Sequence, residues 1–321
     1  MTTATAIAAA LATVSMVSAT GYNVVPVPGA PLFRIGRDVR GAVVLLTPAE
    51  DASNVGPPTR LRRLLVHARA NVRVEASDGS VGEETVGLVE LKTATTDSAQ
   101  AFCGVAATMV ELIGASPAPG TVRAALRQMV ELFEPRSGQS SSVLGLWGEL
   151  LCILESDDVA RMVEAWHVEV DDRFDFAAPS VRIEVKTTQS GTRVHEFDLA
   201  QLEPVEGAVS TVVSVVTTAT HAGSSVVDLV NEVQARLGGR ADLAVKLWQV
   251  VAATVGEDWV TDTATARWDR DQGVASLRVM RATSIPRVED RLDGAILSVR
   301  LRVLCEGVPP LPRVISLLPA Q

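Results

Sequence analysis

The sequence predicts a mixed α/β (α+β) fold with a β-rich N-terminal region and a C-terminal region of helices and a small sheet. Short apolar runs broken by Gly, Pro, Asp and Ser fill residues 22–91 and are typical of strands. Apolar residues spaced near 3.6 positions apart fill residues 98–133 and predict helices. Both patterns alternate through the rest of the chain, so we expect both element types there.

Four segments are expected along the chain. Residues 1–97 form the β-rich region, in which "GAVVLLT" and "VRVEA" are strand candidates. Residues 98–137 form a helical connector, because "AQAFCGVAATMVELI" and "TVRAALRQMVELF" have helical spacing and "ASPAPG" separates them. The polar stretch "EPRSGQSSS" ends this connector in serines, which are favourable N-cap residues.

Residues 138–222 contain the segment with the most chemical information. A helix candidate, "VLGLWGELLCILESD", is followed by the strand candidates "HVEVDDRFDF" and "VRIEVKTT". A short helix near residues 199–203 precedes "STVVSVVTT", which is apolar on both faces and predicts a central strand of a covered sheet. Residues 223–321 supply helix candidates at 228–237 and 241–255, then the strand candidates "ATARWD", "ASLRVMRA" and "AILSVRLRVL".

The composition is that of a folded protein, with 47% hydrophobic and 21% charged residues. No apolar run approaches the ~18–20 residues of a membrane-spanning helix. The first basic residue is Arg34, so residues 1–20 lack the basic start of a secretory signal and we expect a cytoplasmic protein. The three cysteines are widely separated, which excludes a disulfide framework and a CxxC zinc site.

The net charge of −9 counts against a protein that binds nucleic acid through its overall charge, but it is compatible with a local basic groove. The segment 58–73 is basic and is either an ordinary surface or a phosphate-contacting one. Lysine is rare, and each of the three lysines is therefore a candidate for a specific role: Lys92, Lys186 and Lys246.

The strand candidate "VRIEVKTT" carries charge on one face. Alternate residues share a face, so Arg182, Glu184 and Lys186 point away from three apolar residues. Charged side chains on a strand inside a sheet are costly unless they are paired or bind something. The alternative interpretation is an edge strand with a solvated face.

Asp175 lies nine positions before Glu184, and a turn at "AAPS" would fold the two strands into a hairpin. The two carboxylates would then meet at one end of the pair, where a divalent cation resolves their repulsion. Oxygen ligands without Cys or His favour Mg²⁺ or Mn²⁺ over zinc. Glu149, on the preceding helix, would add a third carboxylate.

Such an ion polarises a phosphoryl oxygen and lowers the pKa of a bound water. Lys186 shares a face with Glu184, where it would stabilise charge on a pentavalent phosphorus or position the attacking water. Phosphodiester hydrolysis needs these parts and no covalent nucleophile.

The spacing from Asp175 to Glu184-Val185-Lys186 resembles that of the PD-(D/E)XK nuclease superfamily. Together with "GLWGELLCIL", Trp166, "FDF", "IEVKTT", "RVH" and "QLEP", residues 144–204 resemble the bacterial "PD-(D/E)XK motif protein" family, which is often found among phage-defence genes. The resemblance implies a restriction-endonuclease-like α-β-β-β-α-β core in residues 138–222. Phe174 stands where the superfamily pattern has proline.

The resemblance also implies roles for individual residues. The expected metal-binding residues for Mg²⁺ or Mn²⁺ are Asp175, Glu184, Glu149 and Val185. Lys186 corresponds to the catalytic lysine, Glu149 to the helix acid, and Gln201 to a polar residue on the helix after the third core strand. The expected catalytic set is therefore Asp175, Glu184, Lys186, Glu149 and Gln201.

Other polar and aromatic residues have competing interpretations. Arg193 and His195, just past the lysine strand, are candidate substrate contacts, although a lone histidine is also a common structural residue. His67, His167 and His221 show no metal-ligand spacing. The tryptophans at 147 and 166 are interpreted as core residues and not as base-stacking platforms.

A second Glu-x-Lys, formed by Glu90 and Lys92 with Asp78 upstream, has nearly as good a spacing as the first. It lacks a preceding helix that carries Gly-Glu, and no buried strand clearly follows it. We therefore favour the site around Lys186, a choice that rests on context and not on the motif alone.

These residues favour a metal-dependent DNA endonuclease of a bacterial restriction or anti-phage defence system. Its expected partners are DNA, other defence proteins and a second copy of the chain. The alternative is a nuclease-fold DNA-binding or scaffold subunit with little activity of its own, which the acidic charge favours. A metal hydrolase on another fold is a third reading, supported by the carboxylates alone.

Overall fold

The protein is represented by a computed structural model that describes residues 4–15, 21–76, 80–92, 94–133, 142–167, 172–255, 263, 265–288 and 296–317. Its contacts divide the chain into two compact units. The first takes in residues 1–137, 238–252 and 256–264, and the second takes in residues 138–237, 253–255 and 265–321. The start of the second unit coincides with the start of the predicted core segment 138–222.

The described residues form helices and strands over the following ranges. The helices are α1 (Ala4–Ala12), α2 (Thr96–Ile113), α3 (Thr121–Phe133), α4 (Val143–Leu154), α5 (Val159–Ala165), α6 (Leu199–Leu202), α7 (Val226–Arg236), α8 (Ala241–Val255) and α9 (Arg270–Ser276). The strands are β1 (Tyr22–Val27), β2 (Ala30–Asp38), β3 (Val43–Thr47), β4 (Thr59–Arg60), β5 (Leu64–Ala76), β6 (Val81–Leu91), β7 (Phe176–Ala178), β8 (Val181–Thr188), β9 (Val194–Asp198), β10 (Val209–Val216), β11 (Ala219–Ser225), β12 (Arg267–Trp268), β13 (Arg278–Arg281) and β14 (Arg300–Leu304).

The first unit is built on a six-stranded sheet in the order β1-β2-β3-β6-β5-β4. Strand β1 also pairs with β5 in parallel, so the sheet closes on itself. Apolar side chains from the strands form the interior: Val24, Val44, Leu46, Val74, Val86 and Leu88. The expected β-rich N-terminal region is thus confirmed.

Glu50 connects this sheet to helix α3. Its two carboxylate oxygens accept the backbone N–H groups of Gly120 and Arg123, each at 3.0 Å. Burial by itself raises the pKa of Glu50. The backbone N–H donors of Gly120, Arg123 and Asp51 outweigh this effect and hold the pKa below its usual value. The carboxylate therefore caps the first turn of α3 in its charged form.

The second unit is built on a four-stranded sheet in the order β13-β10-β8-β7. Strand β10 runs parallel to β8, whereas β13 and β7 are antiparallel to their neighbours. Most of the apolar run at 210–218 lies in β10, in the middle of this sheet, as predicted from its apolar residues on both faces. Two smaller ladders, β9 with β14 and β11 with β12, complete the unit.

In chain order, α4, β7, β8, β9, α6 and β10 reproduce the α-β-β-β-α-β core that the resemblance implies. Helix α5 is inserted after α4, and β9 pairs with β14 from the C-terminal part of the chain. The predicted strand at 167–176 differs from the structure in its described part, since residues 173–175 form bends and β7 begins at Phe176. Among the described residues, no helix is long and apolar enough to cross a membrane.

Helix α4 is held very close to β8 at Gly148. A Cβ atom on Gly148 would overlap with Oγ1 of Thr187 and lie 3.0 Å from its Cβ. The apolar side chains around this glycine are fully buried, so neither element has room to retreat. Because Glu149 follows directly, the close approach fixes the position of this acid relative to the strand that carries Glu184.

Gly148→Ala should lower the free energy of unfolding by about 1–3 kcal/mol, because overpacked interiors cost that much. Gly145 is the matched control, since its added Cβ would meet only the Cβ of Ser142, at 4.0 Å. Gly145→Ala should be neutral or stabilising by roughly 0.5–1 kcal/mol, the gain of alanine over glycine in a helix. Urea denaturation followed by circular dichroism measures both, and equal stability of the two variants would contradict the packing argument.

Glu50→Gln should lower stability at neutral pH by about 0.5–2 kcal/mol, the usual worth of a helix cap. Because the folded pKa of Glu50 is depressed, its contribution is present above the unfolded pKa of about 4.3 and is lost as pH falls through the folded pKa. The variant should therefore lose less stability than the wild type on acidification. Denaturation at several pH values tests this, with the exposed Glu83→Gln as a control that should behave like wild type.

Candidate active site

The candidate site lies where the β7–β8 hairpin opens. The ladder pairs Ala178 with Val181 and Phe176 with Ile183, and it ends there. One residue further, Oδ2 of Asp175 accepts the backbone N–H of Val185 at 2.6 Å. The Asp175 side chain thus accepts the Val185 N–H, which would have bonded to a backbone carbonyl if β7 were longer. The hairpin that the sequence predicts is confirmed, and it brings Asp175 beside the Glu184–Lys186 stretch.

The backbone of Val185 faces this opening. On the other side of β8, the carbonyls of Ser180 and Thr188 accept N–H groups at the two ends of β10. The backbone groups of even-numbered residues therefore face β10, and those of odd-numbered residues such as Val185 face β7. The N–H and C=O of one strand residue lie on the same side. Because the N–H of Val185 reaches Asp175, its carbonyl oxygen is also directed toward the open edge.

Glu184 lies on the face of β8 that the alternation predicts, and it is only 3% exposed. Its Oε1 accepts Nζ of Lys186 and Nε2 of Gln201, both at 2.6 Å. Its Oε2 is buried and has no hydrogen-bond partner among the described residues. A buried carboxylate oxygen without a partner is costly, so this atom is a candidate ligand for a cation.

Gln201 is placed by the first turn of α6. Its Oε1 accepts the backbone N–H of Asp198 at 3.1 Å in a capping box, which leaves its amide N–H₂ directed at Glu184. Lys186 lies with its Nζ 5.5 Å from the ring centre of Phe197, within the range of a cation–π interaction. Contacts with other residues therefore help to position both partners of Glu184: Asp198 holds Gln201, and Phe197 lies beside Lys186.

Glu149 enters from the buried face of α4. Its Oε2 accepts the indole N–H of Trp166 at 2.7 Å and lies 3.2 Å from Nε2 of His167. Trp166 is fully buried and stacks on Phe176, with ring centres 6.2 Å apart. The tryptophan is a core residue, as predicted, and it also orients the acid.

His167 is the site residue that the sequence reasoning missed. Ligand atoms of Glu149, His167 and Asp175 all lie within 4.8 Å of one another, and no ion is present. The histidine backbone N–H also binds the carbonyl of Asp175 at 2.9 Å, beside a bridge between Trp166 and Phe176. His167 shows no metal-ligand spacing in the sequence, and the structure adds that its imidazole lies near two of the acids. Its place depends on strand pairing, which a spacing rule does not detect.

Crowded carboxylates govern the electrostatics. Burial raises the pKa of Asp175 well above its usual value, and the charges of Glu184 and Glu149 raise it further. Burial also raises the pKa of Glu184, against the opposing effect of Lys186. Without a cation, the folded site disfavours ionised acids. A divalent ion would remove this penalty, so the donor set and the unpartnered Oε2 of Glu184 fit a metal site.

Arg193 and His195 lie inside the protein, 5% and 4% exposed. The guanidinium donates to the carbonyl of Ser214 at 3.0 Å and to its hydroxyl at 2.8 Å, and it also contacts the carbonyl of Ser276. Nε2 of His195 lies 2.7 Å from the same hydroxyl, and burial, with Arg193 and Lys186 nearby, lowers its pKa to about 4. Contact with substrate would require both residues to exchange these partners, and that role stays a prediction.

The second Glu-x-Lys is engaged in the first unit. Glu90 accepts the hydroxyl of Tyr22 at 2.7 Å, and Lys92 donates to the carbonyl of Leu61 at 2.9 Å. Asp78 lies outside the described residues. The described groups of three or more His, Cys, Asp and Glu that are close enough for a metal do not include this segment.

Comparison with known proteins supports the relationship that residues 144–204 suggest. A family model described as "Putative PD-(D/E)XK family member, (DUF4420)" matches residues 17–303, which is most of the chain and includes every residue of the candidate site. No curated protein and no solved structure matches the chain significantly. The chain therefore belongs to this PD-(D/E)XK family.

Proposed function

We propose that the protein is a metal-dependent DNA endonuclease that hydrolyses phosphodiester bonds in a bacterial restriction or anti-phage defence system. The observation that carries the proposal is the convergence of three acids and one lysine at the open end of the β7–β8 hairpin. Membership in a PD-(D/E)XK family supports nuclease chemistry. DNA as the substrate, Mg²⁺ or Mn²⁺ as the cofactor and the defence role are parts of the proposal.

The residues that would hold the ion are Asp175, Glu149, Oε2 of Glu184 and the carbonyl of Val185. Glu149 lies on α4, Glu184 and Val185 lie on β8, and Asp175 directly precedes β7, so elements of the core position all four. When bound, a divalent ion would lower the pKa of a water and neutralise charge on the scissile phosphate.

Lys186 would stabilise the charge that develops on the phosphate oxygens. Its Nζ is anchored on Glu184 at 2.6 Å and is partly exposed, which leaves donor positions directed to the solvent side. Gln201 acts as a positioning residue, because it binds Glu184 and not the substrate. No covalent nucleophile is needed for this chemistry.

The second candidate function is a DNA-binding or scaffold subunit with a weak nuclease centre. The observation that favours it is the net charge of −9, which does not attract DNA to the chain as a whole. The buried acids favour the enzyme instead, since a site without a catalytic role would gain stability by losing them.

Incubation with supercoiled plasmid and Mg²⁺ or Mn²⁺ should give nicked or linear DNA, and EDTA should abolish the reaction. Lys186→Ala and Asp175→Ala should each lower the rate by roughly 10²–10³-fold, the usual effect of losing one charge-stabilising group. Lys92→Ala, in the second Glu-x-Lys, is the matched control and should retain wild-type cleavage.

Cleavage that survives in Lys186→Ala and Asp175→Ala would contradict the assigned site. DNA binding by a wild type that cleaves nothing, in either metal, would favour the scaffold function. Circular dichroism of each variant would separate a loss of chemistry from a loss of folding.

A further inference from the structure

We propose that His167 is a ligand of the metal site and makes it select Mn²⁺ over Mg²⁺. The inference rests on the proposed metal-dependent function and deepens it, because the sequence predicts a site made of oxygen ligands alone. It starts from an imidazole that the fold places among the acids: Nε2 of His167 lies 3.2 Å from Oε2 of Glu149.

The separation of His167 and Glu149 matches the spacing of neighbouring ligands around one small ion. In an octahedral site with bonds of about 2.1 Å, neighbouring ligands are about 3.0 Å apart and opposite ligands about 4.2 Å apart. The imidazole nitrogen and the Glu149 oxygen are separated by 3.2 Å, and all three ligand atoms of Glu149, His167 and Asp175 fall within 4.8 Å. The 3.2 Å separation is thus close to that of neighbouring ligands, and the 4.8 Å limit is somewhat wider than the spacing of opposite ones.

Two contacts hold His167 in this position without any ion. Its backbone N–H donates to the carbonyl of Asp175 at 2.9 Å, which ties the histidine segment to the acid. Its neighbour Trp166 is fully buried and donates its indole N–H to the same oxygen of Glu149. The imidazole is also only partly exposed, with 12% of its side chain accessible. Ligand geometry built into the core in this way costs little entropy when a cation binds.

The chemistry of the ligands determines which ion they prefer. Mg²⁺ prefers sites made of carboxylate, carbonyl and water oxygens, whereas an imidazole nitrogen suits first-row transition-metal ions better. The remaining ligands are carboxylates, which suit Mn²⁺. One nitrogen among several oxygens therefore shifts the preference from Mg²⁺ toward Mn²⁺.

The competing explanation is that His167 only forms a hydrogen bond with Glu149. His167→Gln separates the two roles, because glutamine keeps a hydrogen-bond donor and replaces the nitrogen ligand by an oxygen. His167→Ala removes both functions. His221→Ala is the matched control, since His221 is an exposed histidine of the same unit, on β11.

The experiment measures metal binding and does not depend on cleavage. Mn²⁺ binding to the full chain is followed by electron paramagnetic resonance of the free ion, and Mg²⁺ binding by competition against Mn²⁺. The wild type and His221→Ala should bind Mn²⁺ at least tenfold more tightly than Mg²⁺. His167→Ala should lose about 10–100-fold in Mn²⁺ affinity, the range seen when the ligand environment of a metal is damaged. His167→Gln should lose most of the preference while still binding Mg²⁺.

Unchanged Mn²⁺ affinity and an unchanged Mn²⁺/Mg²⁺ ratio in the folded His167 variants would overturn the inference, as would a wild type that binds neither ion. Lys186→Ala separates this outcome from failure of the proposed function. It should lower the cleavage rate by roughly 10²–10³-fold and leave Mn²⁺ binding intact. Selective Mn²⁺ binding that depends on His167, in a protein that cuts no DNA, would support the metal site and contradict the endonuclease.

Discussion

The hydrogen bond from the backbone of Val185 to Asp175 is the interaction on which the rest of the site depends. It ends the ladder of a short hairpin by giving a main-chain donor to a side chain. In the part of the chain that the structure describes, the β7–β8 ladder goes no further than Ile183, so the Val185 carbonyl has no ladder partner on that side of β8. The hairpin is therefore paired up to Ile183 and carries residues of the candidate site beyond it.

The acids gathered at this edge are unfavourable in the folded protein until something neutralises them. Burial and mutual repulsion raise the pKa values of Asp175 and Glu184, and Lys186 offsets only part of that repulsion. The surrounding core compensates with close packing, as the approach of α4 to Thr187 shows. The crowded acids are thus a destabilising cluster of the kind that a bound cation would relieve.

Much of this arrangement could be predicted from local pattern. The period of two in β8 places Glu184 and Lys186 on one face, and the turn after Ala178 returns Asp175 to their level. His167 could not be predicted, because its position depends on the pairing of Trp166 with Phe176, and a bridge of one residue leaves no periodic signal. The pairing of β9 with β14 could not be predicted for a related reason. About a hundred residues separate the two strands, and no rule of sequence spacing links them.

Trp166 links the candidate site to tryptophan fluorescence. Its indole N–H is bonded to the Glu149 carboxylate, and its ring is sealed in the core against Phe176. The emission of an indole depends on the electric field along its long axis, and the charge on Glu149 contributes directly to that field here. An ion that neutralises Glu149 changes the field without changing the packing of the ring. The emission of Trp166 should therefore respond to a cation bound at the candidate site.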